Sequence, residues 1–411
     1  LAPLLIAPVM AADFSTADGK WTLSVDGNVN VDYIYSDCEG TSSAHTVSGG
    51  LACVGGANGS SSVSNIGNGL LPAAITFGIA TTQNGFDIAT HFGLYPGIAT
   101  NDGGSPNLQA GTANGSANTA LGSTGLDIRQ VYMTFGNKDI GTFLLGRQIG
   151  LFGADAILND MTLPGVGGPG GAASAAPANT TLGGIGLGYI YTDWLAQMDY
   201  TTPDFAGFNG TIGAFDPLNS VGETATVQPK KAPGFHGKIT YTLPIADGTK
   251  FYASATFITQ DQDYISGGGT PYSYTGTGFD IFAKIDVQNF EAFGYYYHAT
   301  GLGTTALFDG GDFGLGNTRE SYGYLAQATY KFGPLKLGVN YGESNLDYAN
   351  VNDAASNPTL VSSNRKGTVG LYYSLTKNLT LLAEGSNVKD KSHDGFSNSA
   401  NTVNIGAFVG F

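Results

Sequence analysis

Along much of this chain, odd and even positions carry different chemistry. Between residues 20 and 33, Trp21, Leu23, Val25, Gly27, Val29, Val31 and Tyr33 alternate with Thr22, Ser24, Asp26, Asn28, Asn30 and Asp32, so one face is apolar and the other polar. Successive side chains of a β-strand point to opposite sides, and a period of two therefore predicts a strand lying between two environments. The pattern returns at 86–94, 235–243, 251–257, 279–287, 322–332, 335–341 and 369–375. One such segment suits a soluble sandwich equally well. Its repetition, with Tyr, Phe or Trp near the ends of many apolar faces, suits strands that cross both interfaces of a membrane with an aliphatic stretch between.

The connections alternate too. Short ones rich in Gly, Pro, Asn and Asp fall at 83–85, 136–141, 203–207, 244–248, 288–289, 333–334 and 376–378; long polar ones fall at 36–69, 98–125, 151–186, 217–233, 261–277, 300–318, 347–363 and 390–401. Seven turns and eight loops join sixteen strands. The chain therefore reads as all-β: a transmembrane antiparallel up-and-down β-barrel of about 16 strands forming a single domain over 13–411, with the turns and both termini periplasmic. An even count brings the first and last strands together and removes free edges.

Composition supports a membrane wall over a soluble core. Only 12% of residues are charged, against about a quarter in soluble domains, while Gly, Tyr and Phe number 63, 22 and 23. No window from Asp13 to Phe411 holds the roughly 18 consecutive apolar residues that a spanning helix needs. Residues 1–12 (LAPLLIAPVMAA) read as the remnant of a secretory signal peptide, a short buried opening element being the alternative. Export places Cys38 and Cys53 in an oxidising compartment, where a loop-closing disulfide is expected and free thiols are the alternative. The net charge of −15 argues against nucleic acid as a partner.

No catalytic, cofactor or metal site is expected. His45, His91, His236, His298 and His393 are scattered over different loops and strands, and HExxH, GxSxG and phosphate-cradling motifs are missing. The loop acids Asp309, Asp312, Asp347 and Asp353 offer oxygen ligands for calcium or contacts to lipopolysaccharide, without the spacing of a calcium-binding loop. Strand parity turns Asp26, Asp32, Asp87, Asp127, Asp199, Asp280, Asp286 and Glu384 toward the lumen, together with Arg129, Arg147, Lys238, Lys250, Lys284, Lys331 and Lys336. The wall is then nearly neutral and most of the negative charge falls to loops and turns, which predicts a mild cation preference.

Three stretches resemble the Gram-negative general porins. RQVYMTFGNKDIGTFLLGR at 129–147 looks like that family's fourth and fifth strands, followed at 151–165 by LFGADAILNDMTLPG where the family folds its third loop into the lumen; TTPDFAGFNGTIGAF at 201–215 looks like a periplasmic hairpin; and GTVGLYYSLTKNLTLLAEGSNV at 367–388 precedes a closing strand, VNIGAFVGF. The resemblance implies a trimeric outer-membrane porin for passive diffusion of small hydrophilic solutes and ions. It also implies that Phe411 is the signal read by the barrel assembly machinery. Acids on the inserted loop, here Asp155 and Asp160, are expected to face a basic cluster across the pore. Arg129 and Arg147 match motif positions, and Lys238, Lys284 and Lys336 join them by inward parity. Two other readings stand beside this one. One is a substrate-specific porin with an aromatic track that includes Tyr252 and Tyr372, and the other is a barrel displaying adhesive loops such as 36–69 and 98–125.

Overall fold

The computed structural model describes residues 12–16, 18–39, 47–53, 62–98, 126–168, 179–219, 226–227, 230–246, 248–266 and 268–411. Residues 1–11 of the expected leader at 1–12, and His45, lie outside the described residues. The strands run β1 (Ala12–Ser15), β2 (Trp21–Glu39), β3 (Ser62–Gly67), β4 (Ala74–Gln83), β5 (Phe86–Pro96), β6 (Leu126–Asn137) and β7 (Gly141–Ile149). After helix α1 (Ala154–Asn159) come β8 (Trp194–Thr201), β9 (Phe208–Phe215), β10 (Thr226–Val227), β11 (Gly234–Ala246), β12 (Thr249–Ile265), β13 (Pro271–Val287), β14 (Phe290–Thr300), β15 (Glu320–Phe332) and β16 (Leu335–Leu346). Helix α2 (Val351–Ser356) precedes β17 (Val361–Ser374), β18 (Leu379–Ser392) and β19 (Ser397–Gly410).

These segments build a closed antiparallel barrel of 16 staves. Three staves are broken into two pieces. β3 and β4 both pair with β2, β10 and β11 both pair with β12, and β1 continues the line of β19 along the edge of β2. Closure rests on twelve residue pairs between β19 and β2. It ends in a reciprocal bond, with Gly27 N–H donating to the Phe411 carbonyl at 2.9 Å and Phe411 N–H to that of Gly27 at 3.0 Å. A Cβ on Gly27 would lie 2.7 Å from the Phe411 ring, so only glycine admits the terminal aromatic there. Ala12, the last residue of the expected leader, pairs with Val25 as the first residue of β1.

Face assignments follow the period of two. On β2, Trp21, Leu23, Val29, Val31 and Tyr33 are exposed on the outer wall while Asn28, Asn30 and Asp32 are buried inside. Ile405 and Ile239, 69% and 54% exposed, belong to an apolar outer band that water alone would not tolerate and lipid satisfies.

Two expected loops are largely strand. The stretch 261–277 narrows to a tight turn, since β12 reaches Ile265 and β13 starts at Pro271; 390–401 narrows likewise between Ser392 and Ser397. Above the lipid, a ladder needs backbone hydrogen bonds but no apolar face, so Asp261, Ser273, Lys391 and Ser399 continue strands that their polarity hides.

Candidate functional site

Between β7 and β8 the described chain, residues 150–168 and 179–193, meets inward-facing side chains of staves on the far side of the sheet. Gly153 takes positive φ (75°) before α1, and its N–H donates to Asp280 Oδ2 on β13 at 2.7 Å. On α1, Asp155 Oδ1 lies 2.7 Å from Lys238 Nζ on β11. Its other oxygen accepts the Tyr252 hydroxyl at 3.0 Å and a bond from Ser254, both on β12. Asn159 accepts from Lys284 Nζ at 3.1 Å, and Gln327 on β15 takes the Met161 N–H at 2.7 Å while donating to the Asn159 carbonyl at 2.9 Å. Farther on, the N–H groups of Val166 and Gly167 donate to one oxygen of Glu384 on β18, at 2.8 and 2.9 Å. The other oxygen of Glu384 accepts the Tyr372 hydroxyl at 2.7 Å. Buried backbone donors of an irregular segment are thus satisfied by side chains of β13, β15 and β18, as buried donors require.

Apolar packing joins the same surfaces. Phe152, Tyr189 and Ile190 are buried with Phe282, Phe293, Tyr295, Tyr297 and Leu325 from the inner faces of β13, β14 and β15. The inner wall on that side is therefore aromatic rather than polar, and the rings are covered.

The residues singled out from sequence divide into three groups. Asp155, Lys238 and Lys284 come together along α1. Asp160, 3% exposed, turns inward to its own segment: it accepts from Thr162 N–H and hydroxyl, from Tyr189 and from Asn340 Nδ2. Arg129 stands apart with Asp127 at 2.6 Å and Asn179 at 2.8 Å. It faces inward because β5 and β6 shift register there: Gly93 pairs with Gln130 and Leu94 with Ile128, leaving Arg129 as the extra residue of a bulge. Lys336 Nζ sits 4.8 Å over the Tyr372 ring.

Arg147 corrects the parity reading. On β7 the even positions Leu144 and Gln148 point inward, Leu144 opposite Asp199 and Gln148 bonded to Gln130, so Arg147 lies exposed on the outer face beside Val131 and Ala196. The bulge before it breaks the phase that would have carried Arg129 and Arg147 to one side.

The structure adds groups that sequence reasoning left unassigned. Asp280 and Glu384, counted earlier only as wall charges, are the anchors of the segment. Lys366 is fully buried on β17, its Nζ without a hydrogen-bond partner; its signal was parity, two residues from inward Thr368. His236 Nε2 meets Asp199 Oδ1 at 2.9 Å across the glycine at 213, which leaves room for the carboxylate. The sulfurs of Cys38 and Cys53 are bonded, with Cα atoms 5.4 Å apart. Among the described residues no group of three His, Cys, Asp or Glu is placed to hold a metal.

At the turn end the lumen opens into a cavity of about 1110 Å³ lined by Thr22, Asp87, Ala89, Thr134, Thr142 and Thr201, among others.

A family model described as Gram-negative porin matches residues 4–393. No curated protein sequence matches the chain. Solved structures with a similar fold include the outer membrane channel DcaP of Acinetobacter baumannii, 18% identical with a TM-score of 0.66 and covering 97% of this chain and 100% of its own. The anion-selective porin from Comamonas acidovorans is 14% identical, with a TM-score of 0.60 and coverage of 95% and 100%. OmpF of Salmonella typhi, solved with daunomycin, is 13% identical, with a TM-score of 0.53 and coverage of 97% and 100%. With the closed 16-stave wall and its apolar outer band, the match over nearly the whole length shows that this chain belongs to the Gram-negative porin family and is a channel of the outer membrane.

Proposed function

We propose that the barrel, a single domain over 13–411, is a water-filled pore for passive diffusion of small hydrophilic solutes and ions, mildly cation-preferring, with the 150–193 segment as its constriction. The observation that supports this reading is the run of bonds from that segment to inward side chains on β11, β12, β13, β15 and β18; in this reading the segment so held narrows the lumen. Asp155, Lys238, Lys284 and Lys336 then border the constriction, with Arg129 on another part of the wall. A homotrimer is the proposed assembly; an OmpT structure from Vibrio cholerae, 11% identical with a TM-score of 0.51, is described as a trimer form. Lipopolysaccharide at the outer rim and the barrel assembly machinery, reading Phe411, complete the proposed partners.

The substrate-specific reading loses its track: Tyr372 is 3% exposed, and the Tyr252 hydroxyl is committed to Asp155. Single-channel conductance of the refolded protein in a planar bilayer tests the proposal. Stable open steps, grouped in threes with a cation-side reversal potential, are expected; a sealed barrel overturns it in favour of a surface-display role.

A further inference from the structure

The connection between β14 and β15 folds into the barrel as well. Leu302, Leu307 and Phe308 are buried in one apolar cluster with Phe152 of the inserted segment and Tyr297 on the inner face of β14. They rest on a bare strip of wall. Gly276 and Gly278 face inward from β13, and a Cβ on the first would lie 2.6 Å from the Phe308 ring, on the second 2.7 Å from the Leu302 side chain. Glycine at both positions leaves room for another length of chain to approach the sheet.

Backbone bonds hold this connection to the inserted segment. Tyr191 N–H donates to the Thr305 carbonyl at 2.8 Å, and Tyr191 and Ala306 form a parallel bridge. Chains paired in this way lie about 4.8 Å apart, so residues 302–308 make a second layer against the first. Gly301 N–H donates to the Arg319 carbonyl at 2.9 Å and Arg319 N–H to that of Gly311 at 2.8 Å, which pins both ends of the excursion at the wall. Phe308 takes a φ of 70°, a left-handed conformation that a residue with a side chain keeps only where its surroundings impose it. Thr305 and Ala306 remain half-buried, and neither carries charge.

We infer that residues 302–308 are a second, uncharged size filter of this pore, stacked on the loop-end side of the 150–193 segment. The inference rests on the pore reading above. Tyr191 stands three residues before β8, at the end of that strand away from its short turn, and the β14–β15 connection lies at the same end. A solute entering from outside therefore meets Thr305 and Ala306 before it reaches Asp155 and Lys238, and is sorted there by bulk.

A thiol placed on this layer tests the inference in the refolded full chain. The two native cysteines are bonded to each other, so A306C carries the protein's one free thiol. In a planar bilayer, methanethiosulfonate ethyltrimethylammonium in both chambers is expected to remove about a third of the A306C current and none of the parent's. In a second variant, residues 304–308 are replaced by two glycines, a span that closes because Gly303 and Asp309 already form a bridge. Its conductance is expected to rise roughly twofold, with polyethylene glycols too large for the parent now depressing the current. A thiol that does not react, or that reacts by mass spectrometry without loss of current, overturns the inference and leaves the pore reading intact. So does a shortened chain with the parent's conductance and size limit; if that chain fails to fold, A306C decides alone, because it adds a single sulfur to a half-buried methyl. No current from the parent protein overturns both readings.

Discussion

Lys238 on the barrel wall and Asp155 on α1 lie 2.7 Å apart with side chains only 12% and 15% exposed, an ion pair that ties an irregular segment to a strand three staves beyond the one it leaves. Removing one partner leaves the other poorly solvated. K238M is expected to cost about 3 kcal/mol of stability, and D155N/K238M less than the sum of its two single variants. Thermal unfolding of the four proteins in detergent gives the coupling; additive losses would remove the pair from the account.

Glu384 holds two backbone N–H groups of the same segment. E384A leaves Val166 N–H and Gly167 N–H without acceptors, at about 1–3 kcal/mol for each buried group. Single-channel traces should then show rapid flicker as the segment leaves the wall. Traces as quiet as those of the parent would mean that other anchors, such as Asp280 and Gln327, suffice.

Arg147 on the outer face and Arg129 inside make a paired prediction. R147Q is expected to leave ion selectivity unchanged. R129Q leaves Asp127 uncompensated and is expected to move the reversal potential toward cations at dilute salt. Reversal potentials of the two variants, recorded side by side, decide it.

At the loop end, Arg319 Nε and Nη2 each lie 2.8 Å from Asp353, which also accepts from Ala349 N–H and Asn357. Burial alone pushes this carboxyl up, but the Arg319 hydrogen bond, the Ala349 N–H and Asn357 outweigh it and hold the group below its ordinary value. A depressed carboxylate contributes stability that is complete above the unfolded-state value of about 3.9 and is lost as pH falls through the lower folded value. Hydrogen exchange of residues 347–357 should therefore stay slow at pH 5 and speed up only below about pH 4. In R319Q the rise should begin at higher pH. Exchange that is insensitive to both would remove the ion pair as the clasp of α2.

The disulfide between Cys38 and Cys53, 15 positions apart, constrains the unfolded chain by about 3 kcal/mol in the loop-entropy account. C38S/C53S is expected to lower the unfolding midpoint and leave conductance unchanged, since Cys38 packs with Leu51, Leu187, Val388 and Ala400 away from the turn-end cavity. A changed conductance would place this cluster in the permeation path.

The sequence by itself determined the wall. Which face of β2, β11, β13, β16 or β19 meets lipid follows from a period of two that no tertiary contact can shift without exposing polar groups to hydrocarbon, and turn residues such as Asn84 and Gly85 or Gly333 and Pro334 fix where strands reverse. Strand ends above the membrane escaped notice because Asp261 or Lys391 can pair its backbone without an apolar face. What lies inside the barrel was decided only by tertiary structure. A one-residue bulge at Arg129 resets parity, so Arg147 goes out while its motif partner goes in, and α1 finds Lys238, Asp280 and Gln327 on strands that no local spacing connects to it. Alternation reads one strand at a time; the partner of a buried charge depends on closure of the ring, which brings together positions far apart in sequence.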